Sequence, residues 1–303
     1  MRARIVFAWD TPRARSLQAQ VQQVLSDVAV AFGHSFVMKD ERMGAASVEA
    51  YGSAMTVETV EACQEADATL AVLTHPDGLL ELAQGLLCVL ACHLYEEWPA
   101  GCDVPLASGL MPQGAICYPL YADERLRDAA ELAYSLSGHG RVREIPFDGS
   151  LRENWLAATQ ALSARYTTTL PVQVTLNDVL ASLIADPTGL GVVFAKPQAA
   201  QTLAAAADAL CGGLPGHQRF MGDKCLHAYV DSQAGVNSLS PSALAAAADF
   251  LRTSLNLVRE ADCVLAATAN VQQTAPEGGL DIDAWERISQ QIALAGELLH
   301  PKG

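Results

Sequence analysis

Short β-type runs alternate with longer runs of helical periodicity along almost the whole chain, and this alternation limits the fold more than any other feature of the sequence. Residues 4–9, 69–74, 115–121, 142–147, 172–176, 191–195 and 227–230 are rich in aliphatic and β-branched side chains and read as strands. Apolar residues recur at helical spacing over 13–32, 57–66, 79–96, 123–136, 151–166, 177–185, 198–210, 241–257 and 283–299. Ser240 before Pro241 reads as an N-cap followed by a first-turn proline, and Gly138 as a helix stop. Strand followed by helix, repeatedly, builds a sheet covered by helices, so the expected class is α/β. The alanine runs 204–207 and 245–248 are helix-forming sequence, because leucines and aromatics recur around them.

With 303 residues, 50% of them hydrophobic, the chain can bury a large core. Such apolar richness raises the question of a membrane span. The richest stretch, 79–94, is interrupted by Glu81, Gln84 and His93. It also falls short of the roughly 20 apolar residues that a spanning helix needs, and so reads as a buried helix. The first residues hold two arginines and only a short apolar run before Asp10, unlike a secretory leader. A net charge of −15 disfavours nucleic acid and anionic membranes as partners, since both repel an acidic surface. The eight cysteines lie mostly in apolar stretches and form no CxxC pair, which fits a reducing, cytoplasmic location.

None of the common signatures GxGxxG, GxxxxGK[ST], GxSxG or HExxH is present. Cys88, Cys92 and His93 share the 79–96 run and read as side chains of a core helix, not as a metal site. Cys211, His217, Cys225 and His227 are loosely grouped, but their spacing matches no zinc pattern.

Longer segments carry a family likeness. Gly44-Ala45-Ala46-Ser47-Val48-Glu49-Ala50-Tyr51-Gly52 is followed by Glu58-Thr59-Val60-Glu61-Ala62-Cys63 and Ala66-Asp67-Ala68. Gln84-Gly85-Leu86-Leu87 precedes Leu94-Tyr95, and Asp186-Pro187 precedes Gly191-Val192-Val193-Phe194. Leu214-Pro215, His227, Gly235 and Ser240-Pro241 complete the series. In order and spacing, from near the start to about Leu257, this resembles the isopropylmalate/isocitrate dehydrogenase family, and 3-isopropylmalate dehydrogenase most. That family oxidises a 2-hydroxy dicarboxylate with NAD(P), helped by a divalent metal that polarises the substrate oxygens.

The resemblance implies site positions that this chain fills with other residues. The two metal carboxylates of the family's GDxxSD motif, one helical turn apart, fall on Gln201 and Ala205, and the third falls on Asn177. An amide and a methyl cannot stand in for anionic oxygens around a hard cation. The substrate-gripping arginines fall on Leu90, near Trp98 and on Leu110, and no arginine lies between Arg42 and Arg125. The catalytic tyrosine falls on Cys117 and the catalytic lysine near Phe147. A shift of one or two residues would bring in Tyr118 or Asp178 but would not restore the set. The opening glycine-rich turn has become Asp10-Thr11-Pro12-Arg13-Ala14, and the nicotinamide-side glycines have become Thr74-His75-Pro76-Asp77. On the cofactor side, His227 takes the place of the adenine-stacking histidine, Ser232 that of the NAD-selecting acid, and Ser240 lies in the following segment.

These positions imply an isopropylmalate dehydrogenase-like fold of two α/β domains sharing a central mixed sheet, with 1–94 and 213–303 in the first and 95–212 in the second. A homodimer through the second domain is expected, on the apolar helices 151–166 and 198–210 with Trp155, Leu156, Leu162, Leu203 and Leu210. Pairing with an active sister subunit is the other arrangement that the resemblance implies. The expected role is that of a non-catalytic structural or regulatory protein that binds neither magnesium nor manganese and binds NAD weakly or not at all. Two alternatives stay open. One is a cleft made greasier by Leu90, Leu110, Phe147 and Ala205 that takes a different small molecule. The other is a divergent NAD(P)-dependent 2-hydroxyacid oxidoreductase.

Overall fold

Local rules set the first elements. Thr11 is in extended conformation and its hydroxyl accepts the Ala14 N–H, Pro12 opens the helix, and Gly33 closes it in the left-handed region. The structure, a computed structural model, describes residues 1–95, 112–123, 125–138, 140–163, 165–166, 170–211, 217–231, 241–274 and 282–299. In chain order the elements are β1 (Arg2–Trp9), α1 (Pro12–Phe32), β2 (Ser35–Arg42), α2 (Gly44–Tyr51), α3 (Val57–Glu65), β3 (Ala68–Leu73), α4 (Leu79–Gly85) and β4 (Cys88–Tyr95). There follow β5 (Gly114–Pro119), α5 (Leu126–Leu136), β6 (Arg141–Ile145), α6 (Leu151–Ser163), β7 (Leu170–Gln173) and α7 (Leu176–Ala185). The last are β8 (Gly191–Ala195), α8 (Pro197–Leu210), β9 (His217–Gly222), β10 (Cys225–Val230), α9 (Pro241–Thr253), α10 (Val258–Thr274) and α11 (Ile282–Leu299).

The fold is α/β, and the described strands number ten, in the order β2-β1-β3-β10 and, separately, β9-β4-β5-β8-β6-β7. The described residues divide into two compact units, 1–82 with 226–299 and 83–95 with 112–225. In the first unit β1 pairs in parallel with β2, Arg2 opposite Ser35, and with β3, Ile5 opposite Ala68. β10 adds in parallel to β3, with His227 opposite Leu70. Parallel ladders are stable when covered on both faces. Phe7, Leu70, Phe250, Leu244 and Ile288 accordingly meet in one core under α1, α9, α10 and α11.

In the second unit β4 runs antiparallel to both β9 and β5, while β5, β8, β6 and β7 are parallel. One face carries Leu90, Cys117, Tyr134, Trp155 and Phe194 beneath α5 and α6. The other carries Ile116, Val193, Leu183 and Leu203 beneath α7 and α8. Trp155 is wholly buried and stacks on Phe194 with ring centroids 4.3 Å apart. Its indole N–H donates to Glu144 at 3.3 Å, and the Tyr134 hydroxyl donates to the same carboxylate. Glu144 is therefore held by neutral donors in the interior, and burial raises its carboxyl above the usual range.

The alternation is observed, with one exchange of element type. The 79–96 run is not one helix: α4 stops at Gly85, Leu87 adopts a positive φ of 56°, and β4 begins at Cys88. Cys88, Cys92 and His93 lie on this strand. A long apolar run with no polar face gives the same pattern for a buried helix and a buried strand, so periodicity alone misassigns it. Two local contacts settle the strand. Cys92 sits across from Cys117, and a Cβ on Gly222 would meet the Leu87 carbonyl oxygen at 2.4 Å. α9 ends at Thr253 and not at 257, because Asn256 turns into the left-handed region at φ 55°. β2, β9, α2 and α10 complete the fold at places the sequence reading left unassigned. β2 is an edge strand with a mixed polar sequence, where apolar alternation is weakest.

His93 supplies a pH test of the β4 assignment. Packed among β5, β9 and the Tyr118 ring, it has its pKa lowered to about 4 by burial. A histidine depressed in the folded state disfavours protonation there, so its contribution is intact above its ordinary value and is lost as pH falls toward 4. Wild type should lose on the order of 2–3 kcal/mol more than His93→Phe between about pH 6.5 and pH 4. Urea unfolding across that range measures the difference, and parallel slopes would refute the burial of His93 between β5 and β9.

Candidate functional site

In open α/β sheets, ligands bind beyond the carboxyl ends of parallel strands, where backbone N–H groups and helix N-termini are turned outward. In the first unit that position is the end of β1, β3 and β10, occupied by Asp10, Thr11, Arg13, Thr74, His75 and Asp231. Asp10 is 1% exposed. Its carboxylate accepts the Thr74 N–H at 2.9 Å, the Thr74 hydroxyl at 3.0 Å and the His75 N–H at 2.7 Å. The Asp10 carbonyl accepts the Ala46 N–H, and Gly44 approaches so closely that a Cβ there would lie 3.1 Å from the Asp10 Cβ. Thr11 and Thr74 share a hydroxyl hydrogen bond, and Arg13 pairs with Asp231 at 3.0 Å. The Thr74 and His75 amides at the end of β3 are thus engaged by the chain's own carboxylate at the end of β1. Beside this turn, Arg15 and Arg42 both stack on Trp9, at 5.2 and 5.7 Å from its ring centroid.

His227 lies in the interior of β10, not beyond its end. The ring is 0% exposed. Nδ1 faces Asp249 at 3.3 Å, Nε2 lies 2.9 Å from the Ser254 hydroxyl, and Phe250 meets the ring edge-on. These contacts make it a hub between β10 and α9, and an adenine ring has no access to such a side chain. Ser232 and Ser240 lie outside the described residues, as do Trp98 and Leu110.

In the second unit the positions read from the sequence, Tyr118 apart, divide between one core, which gathers Leu90, Cys117 and Phe147, and the exposed faces of α7 and α8. Leu90 and Cys117 are 0% exposed and belong to the core under α5 and α6, and Phe147 packs against it. Tyr118 is on the opposite face of β5, packed against the core under α7 and α8. Burial raises its hydroxyl pKa, and a neighbouring Cys92 adds to the rise. Asn177 is exposed on α7, and Gln201 and Ala205 lie on the exposed face of α8. Asp178 is a capping residue: it accepts from the Thr175 N–H at 2.9 Å and hydroxyl at 2.7 Å, and these bonds lower its pKa. Asp208 accepts from the Tyr95 hydroxyl at 2.9 Å, and burial raises its carboxyl. Lys196, at the end of β8, pairs with Asp148.

A hard divalent cation takes several anionic oxygens in near-octahedral array. The donors here are one amide on α7, one amide on α8 and a carboxylate already committed to a helix cap, and this set does not fit such an ion.

The Asp10 lock and the Glu144 cluster were missed in sequence reasoning. Asp10 carried a signal, an acidic residue at the very end of an apolar strand before a Thr-Pro helix start. Its donors lie 64 and 65 residues away, and no local pattern points to them.

No family model matches the chain, and no curated protein matches it in sequence. Solved structures do. An isocitrate dehydrogenase from Methylococcus capsulatus matches with a TM-score of 0.73 and 13% identity, over 96% of this chain and 99% of that one. The TT0538 protein from Thermus thermophilus matches with a TM-score of 0.74 and 14% identity, over 97% and 70%. A chain in the cryo-EM structure of the Euglena gracilis mitochondrial ATP synthase peripheral stalk matches with a TM-score of 0.67 and 16% identity, over 95% and 99%. At these identities the likeness is one of fold, and the fold is that of isocitrate dehydrogenase.

If Asp10 acts as a structural clamp, Asp10→Ala leaves the Thr74 and His75 amides without acceptors and lowers unfolding free energy by on the order of 3 kcal/mol. Chemical denaturation checks this, and a change below about 1 kcal/mol would show the clamp to be dispensable.

Proposed function

We propose that the chain is a non-catalytic relative of the isocitrate and isopropylmalate dehydrogenases, serving as a structural or regulatory subunit of a larger assembly. The observation that carries this reading is the strand-end lock. Asp10 takes up the Thr74 and His75 donors, and Arg13 pairs with Asp231, at the strand ends where open α/β sheets bind their ligands. The second unit supports it, since Leu90 and Cys117 are core side chains and Asp178 is a cap. In the family's reaction the metal ligands, arginines, lysine and tyrosine act as a unit, and removing one member already costs orders of magnitude.

Of the three structural neighbours, the Euglena chain comes from a structure titled for a peripheral stalk and not for a dehydrogenase. It matches this chain nearly end to end, so the fold in a multi-subunit machine is the precedent that we extend to this protein. A peripheral stalk of an ATP synthase is the kind of assembly proposed. The partner is a different chain. Of the side chains on which pairing of two copies was expected to rest, Trp155, Leu162 and Leu203 are buried within their own unit at 0–1% exposure, and Leu156 and Leu210 are partly buried.

Purified protein with magnesium or manganese and NAD or NADP should not oxidise isopropylmalate, isocitrate, malate or tartrate above the no-protein background. NAD should leave the melting temperature unchanged, because a ligand that binds the folded state raises it. In cells, a tagged copy should migrate on native gels well above the size of a monomer or dimer. Metal-dependent reduction of either cofactor would overturn the reading, as would a tagged copy that runs as a free monomer.

A further inference from the structure

Cys92 and Cys117 face each other in the interior of the second unit. They are opposed residues of the antiparallel pair β4 and β5, and both are buried, at 1% and 0% exposure. An antiparallel ladder alternates two kinds of position, and the hydrogen bonds tell which kind this is. Leu90 stands opposite Pro119, which has no N–H to exchange, and the Leu120 N–H donates to the Val89 carbonyl at 2.8 Å instead. Leu90 and Pro119 are therefore a non-hydrogen-bonded pair. Two residues further along each strand, Cys92 and Cys117 are another. At such positions the Cα atoms stand about 4.5 Å apart and the side chains approach closely, within the roughly 4.4–6.8 Å that a disulfide spans. The two thiols are hydrogen-bond partners, and both are free.

We propose that Cys92 and Cys117 are a redox-modification site, closing into a cross-strand disulfide when a small uncharged oxidant such as hydrogen peroxide reaches them. The peroxide oxidises one thiol to a sulfenic acid and leaves one water. The sulfur of the second thiol then attacks the first, the S–S bond forms, and the hydroxyl departs with the remaining proton as a second water. The two electrons lost by the sulfurs are those that the peroxide O–O bond takes up. Burial decides which oxidants act. Desolvation, and then the Cys117 thiol, raise the Cys92 pKa well above its ordinary value, so the pair reacts slowly and through local openings of the sheet. Cys225 is a competing partner, partly buried at the start of β10, and its charge acts on both Cys88 and Cys92. In the ladder, however, Cys92 faces Arg219 on β9 and Cys117 on β5, so register favours Cys117. The bond ties β4 to the strand that carries the parallel set, since β5 pairs antiparallel with β4 and in parallel with β8. Such a site is independent of the scaffold role.

The test treats the native full-length protein with hydrogen peroxide or with diamide, an uncharged azo oxidant that takes up the two thiol hydrogens. Remaining thiols are then alkylated in denaturant, and the peptides are mapped by mass spectrometry. A peptide pair joined through Cys92 and Cys117 should appear, lighter by the hydrogens lost, and dithiothreitol should restore the free thiols. Closing the chain between β4 and β5 restricts the unfolded state, so oxidation should raise the urea midpoint by on the order of 0.5–1 M. The double variant Cys92→Ala with Cys117→Ala should lose that oxidation-dependent rise. A native protein in which both thiols stay alkylatable after oxidation overturns the proposal. So does Cys92 joined to Cys225, or a urea midpoint that falls when the Cys92–Cys117 bond forms. Wild type alone decides these outcomes, so a variant that fails to fold leaves the test intact.

Discussion

Parallel strands have to be buried on both faces, and that requirement leaves a protein of this class only its strand ends on which to do chemistry. β1, β3 and β8 obey it strictly: every residue of β3 is buried, as are the last five of β1 and the last four of β8. At the end of β1 the chain places Asp10, an ionisable group with 1% exposure. Such a group is tolerable only when donors meet it, and the nearest unclaimed donors are the amides of the β3 turn. Once they point at Asp10, they are not available to a ligand. A single burial requirement thus stabilises the sheet edge and closes it.

The same economy of donors recurs elsewhere. Asp178 stands next to a position where the family resemblance places a metal carboxylate, but it serves the N-terminus of α7 through a reciprocal capping box. His227 has one ring nitrogen toward Asp249 and the other toward Ser254, in the middle of a strand. Each of these side chains would look chemical in a list of residues. In place, each meets a need of the backbone or the core, and the partner atoms show which.

What was legible in the sequence followed from periodicity. The strand at Gly191–Ala195 is found with the same bounds as expected, because a glycine precedes it and Pro197 opens the next helix one residue after Lys196. β4 was not legible, since Cys-Val-Leu-Ala-Cys-His-Leu-Tyr is buried whichever conformation it adopts. Its strand character comes from Gly222 and β5, contacts distant in sequence. The candidate site was legible only as substitutions relative to a family pattern. The strand 227–230 was legible, but that β10 begins two residues earlier and sets the His227 ring against Asp249 and Ser254 was not, because those partners lie more than twenty residues on. Asp10 was visible as a residue but not as a clamp, because its meaning depends on what Thr74 and His75 do.

Two positions at which the family resemblance implies charged or catalytic groups, Leu90 and Cys117, are core positions in the structure. Leu90 and Cys117 are fully buried beside Trp155, Phe194 and Tyr134, within the core that holds α5 and α6 to the sheet. A guanidinium at Leu90 would need a paired anion in that interior, and the buried Glu144 carboxylate beside Tyr134 and Trp155 already accepts from both. Leucine there adds apolar contact instead, at no desolvation cost. Packing of this kind ties Leu90 and Cys117 to the core that holds α5 and α6 against the sheet.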